Sequence, residues 1–215
     1  QDAVVAGMDA GVFRISFSGE LAYEINVPSW HGLAMWEAVW AAGQPHGLVP
    51  YGTETMHVLR AEKGFIIVGQ ETDGTVTPLD LGMDWIVSKA KKDFIGKRSF
   101  ARADTARAGR KQLVGLLPQD KSFVAAEGSH LVADPSRARH DPATGSPSLG
   151  HVTSSYLSPN FGPNLETGFA LALLLDGRAM HGKTVWNVTA SGLKPMTVCD
   201  PVFLDKENKR RDGID

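Results

Sequence analysis

VFRISFSGELAYEINV, residues 12–27, reads as two strands joined by a tight turn, and it sets the layer on which the first half of the chain is built. Val12, Arg14 and Ser16 alternate with Phe13, Ile15 and Phe17, the period of two expected of a half-buried strand. Ser18, Gly19 and Glu20 supply the turn, and Tyr23, Ile25 and Val27 mark one face of the returning strand. Alternation sets Glu24 on the opposite face, so Tyr23 and Ile25 can pack while the carboxylate points into a cleft.

After this pair, Pro28 and Ser29 offer a helix start, with Ser29 as N-cap. Leu33, Trp36, Val39 and Trp40 follow at helical spacing and read as core, with Gly43 as the stop. A second helix is expected over 53–63, with Thr53 as cap, Met56 and Leu59 on the buried face, and Gly64 ending it. Residues 65–68 read as a short strand, 69–78 as loop and 83–89 as another strand. The sum is an α+β layer, an antiparallel sheet with helices on one face. Composition shifts to Ala, Arg and Asp over 101–110, which places a boundary there, with domains at 1–100 and 101–215. Beyond it lie short strand candidates at 112–117, 130–132, 149–154, 168–174, 184–188 and 195–204, with almost no helical period between them. That half is expected to be a small antiparallel β-barrel or sandwich, with an exposed loop over 133–148.

With 22 Lys and Arg against 24 Asp and Glu, the chain lacks the basic surplus of a dedicated binder of nucleic acid or anionic membranes. No apolar run approaches the ~20 residues that span a bilayer. The single cysteine, Cys199, leaves no intramolecular disulfide and no multi-cysteine zinc site; it fits a cytoplasmic protein and reads as a small buried hydrophobe in a strand. Asn187, Val188 and Thr189 match the glycosylation triplet, a pattern short enough to arise by chance. Gln1 is no initiator, and the chain is expected to be part of a longer polypeptide.

Generic catalytic patterns are missing. Gly96, Lys97, Arg98 and Ser99 lack the upstream glycine of a phosphate-binding loop. The seven histidines include no metalloprotease pair, and the stretch from Glu71 to Thr75 lacks the late glutamate of a calcium loop, so no metal is expected.

Longer stretches are more specific. FSGELAYEINVP (17–28), YGTETMHVLRAEKGFIIVGQETDGTVTPLDLGMDWIVSKAKKDFIGKRSF (51–100), LVGLL (113–117) and GHVTSSYLSPNFG (150–162) resemble consecutive signatures of the glycine-cleavage T-protein superfamily. Within it they are similar to the alpha subunits of heterotetrameric sarcosine oxidases. The resemblance runs over essentially all 215 residues.

It implies a site for tetrahydrofolate. A pterin presents adjacent N–H groups that a carboxylate accepts as a charge-assisted pair, and Glu24 stands where the family places that carboxylate. Arg60 matches the arginine of the family's L-R-x-E-x-G helix, near the glutamate tail of folate, where a guanidinium keeps its charge. Trp85 matches an aromatic residue near the same tail. The T-protein members carry Tyr where this chain has Val68, and their catalytic Asp lies upstream of every segment quoted, so no catalytic residue is named.

The resemblance further implies oxidative demethylation of sarcosine, with the one-carbon unit passing to tetrahydrofolate as 5,10-methylenetetrahydrofolate and with glycine and hydrogen peroxide as products. Flavins and NAD would sit elsewhere in the complex, the partners being the beta subunit and the small subunits. The stretch alone is expected to be inactive. Two other readings stand beside it: a stand-alone aminomethyltransferase of glycine cleavage, and a non-catalytic folate-binding or subunit-interaction module.

Overall fold

The computed structural model describes residues 2–138, 147–161 and 167–214. Contacts divide it into two compact units: residues up to Lys63 with the segment from Asp205 onward, and Gly64–Leu204.

The first unit holds a three-stranded antiparallel sheet in the order β1 (Asp2–Val5), β2 (Met8–Phe13), β3 (Glu24–Asn26). The pairing of Val5 with Met8 leaves a two-residue hairpin of Ala6 and Gly7, both at positive φ (49° and 80°), the turn geometry that matches strand twist. The strand expected from residue 12 to 17 therefore starts earlier and stops at Phe13. The reason lies in Ser16: its hydroxyl donates to the Glu20 carbonyl (2.6 Å) and accepts from the Gly19 N–H (2.9 Å). These local bonds replace ladder bonds and fold 16–20 into a turn. The returning strand is correspondingly short, pairing Glu24 with Phe13.

Ser29 does not cap the next helix. It begins a 3-10 turn (Ser29–His31) that follows the extended Pro28 and feeds α1 (Gly32–Gly43). Nor does Gly43 end the helical path, which continues through a second 3-10 turn to Gly47 at φ 73°. The apolar stripe is not core within this chain: Leu33, Trp36, Val39 and Trp40 are all exposed, Trp36 by 60%, and Met35 is the only buried residue of α1. Trp36 and Trp40 stack on each other, ring centroids 6.4 Å apart. Helical spacing gave the apolar face correctly, but none of the described residues covers it.

The helix α2 (Thr53–Glu62) starts after Gly52, with Thr53 as its first helical residue rather than its cap. Met56 and Leu59 are half-buried, and burial is deepest at the end, where Arg60, Ala61, Glu62 and Lys63 are enclosed. Gly64 then turns the chain at φ 70°. Lys63 Nζ bonds both the carbonyl and the carboxylate (2.8 Å) of Asp205, with the two side chains only 5% and 8% exposed. The Lys63 ammonium, with the N–H groups of Arg210 and Arg211, pulls the Asp205 carboxyl down to about 2. Because the folded state depresses this pKa, its stabilisation is fully present above the ordinary carboxylate range and is lost as pH falls toward about 2. Thermal melting down this acid limb is expected to show a steeper loss for the native chain than for Asp205→Asn, which should melt lower at neutral pH. Parallel curves would refute it.

In the second unit, residues 65–68 form no strand, because Glu71 organises them as a turn. Its buried carboxylate accepts from the Ile67 N–H (2.8 Å), and the Ile67 carbonyl accepts from the N–H groups of Gln70 and Glu71. Ser154, on a barrel strand, also donates to Glu71. The strand expected over 83–89 is instead a 3-10 turn, Asp84–Ile86, closed by Ile86 N–H to the Met83 carbonyl (3.1 Å).

Six strands then close an antiparallel barrel: β4 (Lys111–Pro118), β5 (His130–Val132), β6 (Ser148–Ser158), β7 (Thr167–Leu175), β8 (Thr184–Thr189) and β9 (Gly192–Cys199). Their order is β4-β7-β6-β5-β8-β9, and β4 pairs with β9 to complete the ring. Alternate residues point inward, including Val114 and Leu116, Ala170, Ala172 and Leu174, and Met196 and Val198. The last strand stops at Cys199, short of residue 204. Pro201 has no N–H for the ladder, and the Val202 N–H turns onto the Asp200 carboxylate (2.8 Å). Cys199 is half-buried rather than buried. Asn187 is buried in β8 and donates to Ser129 Oγ (2.7 Å), which leaves its amide out of reach of a glycosylating enzyme. Of the loop expected over 133–148, residues 139–146 lie outside the described residues; Pro135–Arg137 is a 3-10 turn capped by Asp134.

Gly150 shows how tightly the barrel packs. A Cβ there would lie 1.9 Å from the Leu173 carbonyl oxygen, a backbone atom that no rotamer change can move. Gly150→Ala is expected to destabilise the chain by about 1–3 kcal/mol or more, read from urea unfolding midpoints. An unchanged midpoint would refute the packing described.

Candidate functional site

Glu24 opens the edge strand β3, and its side chain is exposed. Among the described residues its carboxylate makes no hydrogen bond or ion pair, so both oxygens are open to a donor. Tyr23 and Ile25, expected to pack, are exposed as well (61% and 37%), leaving both faces of this short strand open. The turn preceding it is held by Ser16 and by Gly19, where a positive φ of 86° and the 2.7 Å at which an added Cβ would meet Lys63 Cγ exclude a side chain.

Arg60 belongs to the same unit as Glu24 but has the opposite environment. It lies in the last turn of α2 and is wholly buried. A ligand carboxylate meets this guanidinium only from inside the protein. Trp85 belongs to the other unit, in the middle of the Asp84–Ile86 turn, with 76% of its surface exposed.

What fixes the segment leading to Trp85 is a carboxylate outside the motifs named from the sequence, Asp80. Asp80 is buried, and its oxygens accept Nε of Arg110 (2.8 Å) and Nη2 of Arg110 (2.6 Å), a two-point grip. It also accepts the Thr77 N–H (2.8 Å) and hydroxyl (2.9 Å), while the Thr77 hydroxyl receives the Asp80 N–H (3.4 Å). The Asp80 carbonyl takes the Leu113 N–H of β4 (2.9 Å) and Arg178 Nη2 (3.0 Å), tying the loop to the barrel. Burial works to raise the Asp80 carboxyl, but the bonds from Arg110 and Thr77 outweigh it and hold it below its ordinary range. Thr77 to Asp80 is the S/T-x-x-D/E capping pattern, so the signal was present in the sequence. Glu71 and the Lys63–Asp205 pair carry no such local signature; burial alone reveals them.

Residues 1–91 match the family model described as the GCVT N-terminal domain, and residues 111–205 the glycine cleavage T-protein C-terminal barrel domain. The chain belongs to the glycine-cleavage T-protein family. Among curated relatives, it is 55% identical over 97% of its length to sarcosine oxidase subunit alpha of Corynebacterium sp. strain P-1, and 53% identical over 97% to that of strain U-96. It spans 21% of the length of each of these relatives. A solved structure, the glycine cleavage system aminomethyltransferase T from Bartonella henselae, superposes with a TM-score of 0.72 at 23% identity, covering 90% of this chain and 49% of that one. This likeness supports the fold: a sheet with helices, then a closed six-stranded antiparallel barrel. No helix among the described residues is long and apolar enough to cross a membrane.

Proposed function

We propose that this chain is the folate-binding part of a sarcosine oxidase alpha subunit, with the folate module in residues 1–100 and a C-terminal barrel domain in 101–215. The observation that carries the reading is the likeness to such subunits across 97% of the chain. In the whole assembly, sarcosine, oxygen and tetrahydrofolate give glycine, hydrogen peroxide and 5,10-methylenetetrahydrofolate, with flavin and NAD bound outside this chain.

Within this chain the roles fall to three side chains. Glu24, an uncommitted carboxylate on an open strand, accepts the paired N–H groups of the pterin and fixes its orientation. Arg60 supplies a permanent positive charge inside the protein for the anionic end of the ligand. Trp85 offers an exposed flat ring against which the tail can lie. The beta and small subunits are the partners of the assembly.

The test uses the intact multisubunit protein. With sarcosine, peroxide should form at all times, and added tetrahydrofolate should suppress formaldehyde release in favour of the methylene derivative. Absence of sarcosine-dependent peroxide would overturn the oxidase reading. Curated relatives named aminomethyltransferase, at 32% and 33% identity, support a second reading, an aminomethyltransferase of glycine cleavage; activity that requires a lipoyl carrier protein instead of oxygen would establish it. Folate binding without either turnover would leave a non-catalytic binding module.

A further inference from the structure

Six of the residues from 89 to 102 are Lys or Arg (Lys89, Lys91, Lys92, Lys97, Arg98, Arg102), and Asp93 is the only acid among them, in a chain whose net charge is −2. This is a built loop rather than a solvated charge run. Lys97 turns inward: its ammonium donates to the carbonyls of Lys91 (2.9 Å) and Lys92 (2.8 Å) and lies 5.7 Å from the Phe94 ring centre. The Lys97 N–H closes onto the Phe94 carbonyl (3.1 Å), the Lys91 N–H bonds Ser88 Oγ (3.3 Å), and Gly96 takes φ 92° at the bend. One cation is thus spent on shaping the loop, and the other five remain exposed.

At the bend stands Ile95, fully exposed, beside a shallow hollow of about 540 Å³ lined by Asp93, Phe94, Gly96, Arg98 and Ser99. A bend that holds a β-branched apolar side chain entirely in water, within a cation-rich run and with Arg98 and its ion-pair partner Asp93 (3.8 Å) lining the same hollow, has the anatomy of an interface centre with a charged rim. The bonds from Lys97 to the Lys91 and Lys92 carbonyls hold the bend in shape, which lowers the ordering cost of binding.

We propose that the loop 89–102 is a docking element for an acidic protein surface on a companion subunit, with Ile95 as its apolar anchor and Lys89, Lys91, Lys92 and Arg98 as its charged rim. Charge complementarity selects the partner class. An extended polyanion or an anionic bilayer would also meet the overall negative charge of the chain, and a single apolar tip buries too little to hold a membrane. The inference rests on the reading that this chain works within a multisubunit assembly.

The experiment measures association of the full-length alpha chain with each separately purified companion subunit, by sedimentation over a salt series. Lys91→Glu combined with Lys92→Glu keeps the carbonyls that Lys97 binds while reversing the rim, and Ile95→Asp removes the anchor. Each is expected to weaken one association about tenfold or more, and the charge reversal should also flatten its salt dependence. Melting temperature and titration with a reduced folate serve as controls and should not change. Unchanged affinity in both variants, or no association of the native chain with any companion, would overturn the proposal. So would loop-dependent binding to phosphatidylserine vesicles or to duplex DNA in place of the subunits. Association is read without folate or turnover, so failure of the oxidase assay would leave this result standing.

Discussion

Glu24→Gln is expected to lower affinity for a reduced folate about 30-fold to several hundred-fold, roughly 2–4 kcal/mol, in the full-length assembly. The substitution keeps shape but replaces a charged acceptor with an amide, so one pterin N–H then faces another donor. The same change should leave the melting temperature almost untouched, because Glu24 is exposed and makes no hydrogen bond or ion pair among the described residues. This split between binding and stability separates a ligand role from a structural one. Calorimetric titration decides it, and equal affinity for native chain and variant would return Glu24 to an ordinary strand-edge position.

Arg60→Ala is expected to behave in the opposite way, with a loss of about 3–5 kcal/mol in folding stability before any ligand is added. Arg60 is completely buried at the end of α2, next to the equally enclosed Ala61, Glu62 and Lys63. Truncation removes a long side chain from a closed space and unbalances the buried charges around it. Arg60→Lys should fall between, since it keeps the charge but loses the planar fork. Denaturant unfolding of both variants checks these losses. A cost below about 1 kcal/mol would show that the burial carries little energy.

Much of the second half of the chain was legible from pattern. Six strand candidates bounded by turns became the six barrel strands, with β5 recovered residue for residue. Two ends were misjudged: β6 runs on past residue 154 to Ser158, and the end of β9 was set too late by reading apolar residues past Pro201, a residue that cannot donate to a ladder. In the first half, both long helices were placed within a residue or two, but the strands at 12–17, 65–68 and 83–89 were not. Those runs are apolar enough for strands, yet the backbone finds other partners: the Ser16 hydroxyl, the Glu71 carboxylate, and a 3-10 turn before Val87. A short apolar run says that a segment seeks cover, without saying whether a ladder or a side chain will take its N–H groups.

The candidate site divides in the same way. Glu24, Arg60 and Trp85 were visible in the sequence through family resemblance, and their roles remain proposals. Asp80 could have been found from its Thr77 capping pattern; its grip on Arg110, thirty positions away, could not. By itself, then, the sequence determined the periodicities: alternation that makes a barrel, helical spacing that makes α1 and α2, and glycines that end or bend them. Tertiary structure alone decided that Arg60 and Glu71 are enclosed, that Lys63 meets Asp205, and that the tryptophan stripe of α1 lies open. The physical reason is that periodicity records which face of an element is apolar. Which distant segment covers that face, and which charges it encloses, depends on contacts between residues far apart in the chain.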